Sequence, residues 1–218
     1  MESKGQFPKH RFVFLTLPNY SMIALSSAVE ALRMANRVTK QDVYEWSLAS
    51  LDGNPVAASN GLTLSPTIPV DKMGPANIVF VCGGVNVEQA VTSELLSALR
   101  RLAQRHVSLG SLCTGGYALA KAGLLDKYKA VIHWENMSAL QEEFPRVIFS
   151  DQLFAIDRDR FTCTGGIAPL DLMLNIIKDH LGRDIAPMIS EQFILDRIRN
   201  DQDRQHIPLQ ARVGLFHE

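Results

Sequence analysis

The residues best suited to chemistry in this sequence are a cysteine and a histidine, Cys113 and His133. Cys113 follows a short β-rich run and precedes Thr114, Gly115 and Gly116, a pattern typical of a tight turn from a strand into a helix. Backbone N–H groups at the start of a helix favour a thiolate, so we expect a lowered pKa for Cys113. His133 also follows a short strand, and it could pair with the thiol. A small buried thiol in a glycine-rich turn is the alternative.

Two further features belong to the same predicted site. Gly83 and Gly84 end another apolar strand, and their backbone amides, with that of Thr114, could hold an oxyanion or a ligand carboxylate. Tyr20 follows the first strand and Trp134 follows the histidine. Their aromatic faces would suit a quaternary ammonium or guanidinium group, although packing in the core is the competing interpretation.

The three cysteines cannot form a closed disulfide framework, which fits a reducing compartment. Cys82, Cys113, Cys163 and His133 show no close paired spacing of the CxxC kind. We therefore predict no metal and no cofactor. A redox pair between Cys82 and Cys113 stays open, because neighbouring strand ends can bring thiols together.

The elements that must position these residues alternate between strands and helices. Short apolar runs predict strands over residues 11–17, 43–50, 77–82, 107–112 and 129–132, and a hairpin over residues 152–157 and 160–164. Apolar residues at steps of three and four predict helices after Ser21, over residues 88–106, from Gly116 to near Leu125, from Trp134, over residues 170–181 and from Asp184 to Ile198. This order predicts an α/β fold, a three-layer flavodoxin-like sandwich with a mostly parallel sheet and helices on both faces. Sites in such sheets form at the carboxyl ends of the strands.

Composition excludes several classes of protein. Of 218 residues, 46% are hydrophobic, which is enough for a packed core. The 22 Lys and Arg residues nearly balance the 23 Asp and Glu residues. The net charge of −1 argues against direct binding of these residues to the phosphate backbone of nucleic acids. No apolar run reaches about 18 residues, and the first residues lack an apolar leader segment. We expect a cytoplasmic protein without a membrane partner.

Several stretches resemble the ThiJ/PfpI superfamily, whose fold is that of class I glutamine amidotransferases. They are residues 78–84, 107–120, 130–134 and 161–171. The resemblance implies that Cys113 is the nucleophile-elbow cysteine, that His133 is its partner and that Gly83 and Gly84 form the oxyanion hole. Enzymes of the superfamily also place a glutamate just after the first strand. Residues 18–25 contain no carboxylate, and we expect Glu135 to face away from His133. We therefore predict no catalytic residues; in an active enzyme they would be Cys113 and His133.

Other stretches are similar to the amino-terminal sensor domain of AraC-type transcriptional regulators, namely residues 17–36, 44–48 and 190–209. Polar composition predicts a disordered lead-in over residues 1–10 and a linker over residues 200–218. The resemblance implies that residues 11–199 are the sensor domain and that the linker leads toward a helix-turn-helix domain. It further implies a homodimer that contacts DNA only through that missing domain. Residues 181–190 also resemble a helix-turn-helix motif. They lack a row of basic residues on one helix face, so we interpret them as an ordinary helix pair.

The predicted function is therefore sensing of a small effector. Relatives with this sensor control the catabolism of nitrogenous metabolites such as betaine, carnitine and arginine, so we expect an amino acid or a betaine-like carboxylate to bind over Cys113, Thr114 and Gly84. The alternative is a cysteine-dependent hydrolase, amidase or glyoxalase of the ThiJ/PfpI superfamily.

Overall fold

A computed structural model describes residues 8–205. Its strands, in chain order, are β1 (His10–Thr16), β2 (Tyr44–Ser50), β3 (Thr67–Pro69), β4 (Ile78–Cys82), β5 (Ser108–Leu112), β6 (Lys129–Ala130), β7 (Ile148–Phe149), β8 (Phe154–Asp157) and β9 (Arg160–Cys163). Seven of them form one sheet in the order β3-β2-β1-β4-β5-β9-β8, and β6 and β7 form a separate parallel pair. In the large sheet the described pairings are parallel except that between β8 and β9.

The helices are α1 (Met22–Thr39), α2 (Val87–Ala90), α3 (Ser93–Gln104), α4 (Gly116–Lys121), α5 (Trp134–Glu143), α6 (Ala168–Leu181) and α7 (Ile185–Gln192). Strand β1 shows how the sheet separates two cores, because successive side chains point to opposite faces. Phe12 and Phe14 pack with α1, α6 and α7, whereas Val13 and Leu15 pack with α3, α4 and α5. The predicted three-layer α/β sandwich is confirmed.

Three predicted helices have different limits in the structure, and one of them, predicted to reach near Leu125, ends at Lys121. The helix predicted over residues 88–106 is divided into α2 and α3, because Thr92 is extended and its hydroxyl caps α3 by accepting a hydrogen bond from the Leu95 amide at 3.2 Å. The last helix ends at Gln192, well before Ile198, and Ile194 follows in the left-handed region with φ 54°. The predicted hairpin is confirmed, with Arg158 at φ 55° in its turn.

Residues on either side of the predicted range 11–199 also contact the described fold. His10 already pairs in β1, and residues 200–205 pack against the body of the protein, where Arg204 bridges to Gln152. Residues 1–7 and 206–218, which hold most of the predicted lead-in and linker, lie outside the described residues. Among the helices that the structure describes, none has the length and apolar character to cross a membrane.

Candidate functional site

Cys113 lies in a sharp turn between β5 and α4. Its backbone has φ 57°, a left-handed conformation that is uncommon for a residue with a side chain and is typical of functional turns. The amide of Cys113 donates a hydrogen bond to the Thr164 carbonyl at 3.3 Å, so the turn is attached to the segment that follows β9. The strained turn aims the thiol toward the carboxyl edge of the sheet, as the glycine pattern predicts.

The turns after β4 and β5 touch each other so closely that only glycine fits. A Cβ atom on Gly115 would lie 2.1 Å from the Val81 carbonyl oxygen, and one on Gly84 would lie 2.0 Å from the Asn19 carbonyl oxygen. The hydroxyl of Thr114 joins the two turns by donating to the Gly84 carbonyl at 2.7 Å. These contacts hold the ends of β1, β4 and β5 in one compact arrangement.

A cavity of about 320 Å³ opens at this edge, beside Cys113. Four of the predicted site residues line it: Cys113, Thr114, His133 and Gly84. The other lining residues are mostly polar and were not predicted; they are Ser21, Ser59, Val85, Asn86, Glu135 and Asn136. Within residues 8–205 no three His, Cys, Asp or Glu side chains gather where they could hold a metal ion.

Three predicted site residues do not line the cavity. Gly83 lies beneath it and donates its amide to the Leu112 carbonyl at 3.2 Å. Tyr20 is only 1% exposed, belongs to the hydrophobic core, and has its hydroxyl 3.9 Å from the Met22 sulfur. Trp134 begins α5 with its ring 5.6 Å from that of His133, outside the lining. For Tyr20 the geometry favours the packing interpretation over a cation–π contact.

The Cys113 thiol is protonated at neutral pH, contrary to our expectation of a lowered pKa. The pKa of Cys113 is raised to about 11, chiefly by burial and to a smaller extent by the Glu135 carboxylate. A hydrogen bond from the Thr114 amide acts in the opposite direction but is outweighed. Desolvation of the thiolate therefore exceeds the stabilisation by helix amides that the sequence suggested.

Glu135 faces the site, and our expectation that it would face away is wrong. It lies in the first turn of α5, where its Oε2 is 3.6 Å from Nδ1 of His133. Burial lowers the pKa of His133, and the Glu135 carboxylate partly opposes this effect. The cavity thus has a carboxylate next to its histidine, although it comes from α5 and not from the segment after β1.

Gly165 is a site residue that the sequence analysis missed. A Cβ atom there would lie 3.1 Å from the Cys113 Sγ and 3.2 Å from the His133 Cδ2, so the thiol and the imidazole converge on this glycine. A signal for it exists, because β9 is followed by Gly165-Gly166 just as β4 is followed by Gly83-Gly84. A glycine pair after a strand marks close backbone approach at that edge.

The other two thiols are free, buried and turned away from solvent. The Cys82 thiol donates to the Phe80 carbonyl at 3.7 Å and the Cys163 thiol to the Leu153 carbonyl at 3.5 Å. Burial raises the pKa of both. A redox pair between Cys82 and Cys113 stays a prediction.

Residues 10–179, from the first strand almost to the end of α6, match the model of the DJ-1/PfpI family. The chain belongs to this family. The matched residues include Cys113, His133, Gly165 and the turns after β4 and β5. The cavity therefore lies within the part of the chain that matches this family.

The chain is also similar to HTH-type transcriptional regulators. It is 48% identical to the HTH-type transcriptional regulator GbdR of Pseudomonas aeruginosa over 92% of its own length and 55% of GbdR. It is 42% identical to CdhR, another HTH-type transcriptional regulator of that organism, over 94% of its length and 60% of CdhR. The chain therefore spans little more than half of these relatives.

A solved structure has the same architecture. The AraC family transcriptional regulator from Pseudomonas putida superimposes with a TM-score of 0.77 at 29% identity, and the match covers 84% of this chain and 99% of that one. The predicted resemblance to a ThiJ/PfpI-like domain of AraC-type regulators is confirmed.

Proposed function

We propose that this chain is the effector-sensing part of an AraC-type transcriptional regulator. The observation that carries the proposal is its similarity to GbdR and CdhR over more than nine-tenths of its length. The cavity supports it, because a sensor needs a site that binds a ligand but needs no turnover. A protonated thiol in Cys113 suits binding better than nucleophilic attack, which requires the thiolate.

The ligand in this proposal is a small nitrogenous metabolite that carries both a carboxylate and a cation, such as an amino acid or a betaine-like compound. A cavity of about 320 Å³ is at the small end of ligand sites, which favours a ligand of this size. Gly84 lines one side of the cavity, where its backbone would face the carboxylate, and the Glu135 carboxylate would face the cation.

The experiment is a thermal-shift and calorimetry screen of amino acids and methylated ammonium carboxylates. A true effector at a hundredfold excess over its Kd stabilises the fold by about 2.7 kcal/mol. Glu135→Gln should weaken binding of a compound that stabilises the protein. Glu142→Gln changes an exposed glutamate on the same helix and should leave binding unchanged. Failure of every compound in the panel to stabilise the protein would contradict the proposed ligand class.

The remaining parts of the proposal concern the whole protein. DNA would be contacted by a helix-turn-helix domain outside these 218 residues, in keeping with the net charge of −1. The regulator would act in the cytoplasm as a homodimer, since paired half-sites require two copies. Analytical ultracentrifugation tests the dimer, and a monomer at all concentrations would exclude self-association through this part.

One observation favours a second function, that of a cysteine-dependent hydrolase, amidase or glyoxalase. Cys113 has the strained turn of a nucleophile elbow and converges with His133 on Gly165. Assays of amide, peptide and 2-oxoaldehyde substrates would compare the unmodified chain with Cys113→Ala and with Cys163→Ala as the control. Turnover lost only in Cys113→Ala would replace the sensor proposal with this one.

A further inference from the structure

The last described residues, 196–205, form what we call the tail segment, and they are fastened to the body of the protein. The Leu153 amide donates to the Asp203 carbonyl at 2.9 Å, and the Gln205 amide donates to the Asp151 carbonyl at 2.8 Å. The tail segment is thus paired like an added strand alongside residues 151–153. This pairing places Gln205 behind the wall of the cavity.

The side chain of Gln205 reaches the segment that carries His133. It is 7% exposed, and its Nε2 donates to the Ile132 carbonyl at 2.9 Å and to the Gln152 carbonyl at 3.2 Å. Ile132 directly precedes His133. The Gln205 Oε1 is buried and has no hydrogen-bond partner among the described residues. An unsatisfied buried oxygen makes this attachment easier to break than a fully paired one.

A second set of hydrogen bonds connects the tail segment with Cys113. The Leu153 residue that donates to Asp203 also accepts, through its carbonyl, from the Thr164 amide at 2.9 Å. The Thr164 carbonyl in turn accepts from the Cys113 amide at 3.3 Å. The tail segment is therefore linked by backbone groups to the thiol side of the cavity and by Gln205 to the imidazole side.

We propose that Gln205 is a positioning residue for His133, and that occupancy of the cavity and attachment of the tail segment control one another through it. The inference rests on the proposed sensing function. It explains how effector binding in the cavity would reach the tail segment. A ligand that moves the Ile132–His133 wall changes the geometry of the Gln205 hydrogen bonds. By thermodynamic linkage, detachment of the tail segment must change the affinity of the cavity for its ligand by the same factor.

The first experiment measures the cavity after the attachment is weakened. Gln205→Met keeps the length of the side chain but removes both donated hydrogen bonds, and Gln202→Met makes the same change at an exposed position of the tail segment. The readout is the rate at which iodoacetamide alkylates Cys113, followed by peptide mass spectrometry. We expect a change of about fivefold or more for Gln205→Met and none for Gln202→Met.

The second experiment uses the unmodified chain, so it does not depend on whether Gln205→Met folds. Iodoacetamide converts Cys113 to a thioether with loss of iodide and a proton, which fills the cavity beside His133. Amide hydrogen exchange at Asp203, Arg204 and Gln205 is compared before and after alkylation. We expect faster exchange at these three residues, with the exchange in α3, which does not line the cavity, unchanged.

Either negative result overturns the inference. An unaltered alkylation rate in folded Gln205→Met would show that the tail segment does not position the cavity wall. Unaltered exchange at residues 203–205 after alkylation would show that the cavity does not act on the tail segment. Neither experiment uses an effector. Failure of the metabolite screen would therefore contradict the proposed ligand class without changing the result expected from either experiment.

Discussion

At the scale of single residues, Cys113 combines a left-handed backbone with a thiol that is hard to ionise. The residue types and their spacing were enough to predict the turn, because Thr114, Gly115 and Gly116 follow a strand. They were not enough to predict the pKa, which depends on burial and on Glu135. The direction of Glu135 depends on how α5 is rotated about its axis, and tertiary packing decides that rotation.

The raised pKa makes the reactivity of Cys113 strongly dependent on pH. With a pKa of about 11, the thiolate fraction and the alkylation rate should rise about tenfold for each pH unit between pH 7 and pH 10. Alkylation quenched at a series of times and followed by peptide mass spectrometry measures this pH profile. A rate that levels off below pH 9 would contradict a pKa of about 11 for the thiol.

Glu135 should account for part of that pKa. Glu135→Gln removes the negative charge that disfavours the thiolate, so the alkylation rate of Cys113 at pH 8 should increase by about two- to threefold. Glu142→Gln removes an equal charge from an exposed site on α5 and should leave the rate unchanged. Equal effects of the two substitutions would mean that only the overall charge matters.

At the scale of elements, the site is built where strands end in glycine pairs. The alternation of strands and helices predicted the sheet and the edge that carries the site. Hydrophobic periodicity and strand ends depend mainly on neighbouring residues in the sequence. Gly165 escaped prediction because its role depends on the neighbour of β9, and strand order follows from long-range pairing. The burial of Tyr20 could not be predicted for a related reason, since nothing local to it shows whether a residue after β1 turns inward.

Adjacent glycines at the β5–α4 turn should respond very differently to alanine. Gly115→Ala would bring its Cβ to 2.1 Å from the Val81 carbonyl oxygen, whereas Gly116→Ala would meet its nearest atom, the Ser111 hydroxyl, at 3.3 Å. We expect Gly115→Ala to destabilise the fold by about 3 kcal/mol or more, as overpacking against backbone does. Gly116→Ala should change stability by less than about 1 kcal/mol, because alanine favours the helix.

Urea unfolding of both variants measures this difference. The backbone at Gly115 and at Gly116 has negative φ, so conformational freedom cannot explain a contrast between them. If both variants unfold at the same urea concentration, the close approach of the β4 and β5 turns does not limit the residue at position 115.

At the scale of the whole molecule, the first strand and the end of α6 meet in a histidine pair. The rings of His10 and His180 stack with centroids 4.0 Å apart, and the Tyr44 hydroxyl lies 3.2 Å from Nδ1 of His180. Burial, together with the neighbouring His10, lowers the pKa of His180 to about 4, while Asp179 acts in the opposite direction. Burial lowers the pKa of His10 as well.

This pair should make the fold sensitive to acid. A histidine with a lowered folded-state pKa stabilises the fold fully above its unfolded value of 6.5, and the contribution is lost as pH falls from about 6.5 toward 4. Between pH 7.5 and pH 5 the free energy of unfolding should fall by about 1 kcal/mol from this group, because solvent screens part of the effect at a half-buried ring. His180→Gln should lose less stability over that range, measured by urea unfolding at both pH values.

The matched control is His106→Gln, which changes an exposed histidine outside this cluster. It should follow the unmodified chain at both pH values. If His180→Gln lost as much stability on acidification as His106→Gln, the acid sensitivity would have to come from carboxylates elsewhere in the protein.

The cavity is lined by short stretches that lie far apart along the chain, from Ser21 through Ser59 and Asn86 to Cys113 and Asn136. These stretches belong to separate loops and helix starts, and the one with Asn136 follows β6, which lies outside the seven-stranded sheet. None of them forms a partial site alone. Local opening of a single loop would remove the site, whereas binding would hold all of these stretches together. A bound effector should therefore slow hydrogen exchange across β1, β4 and β5 as one cooperative unit, rather than only in the loops that it touches.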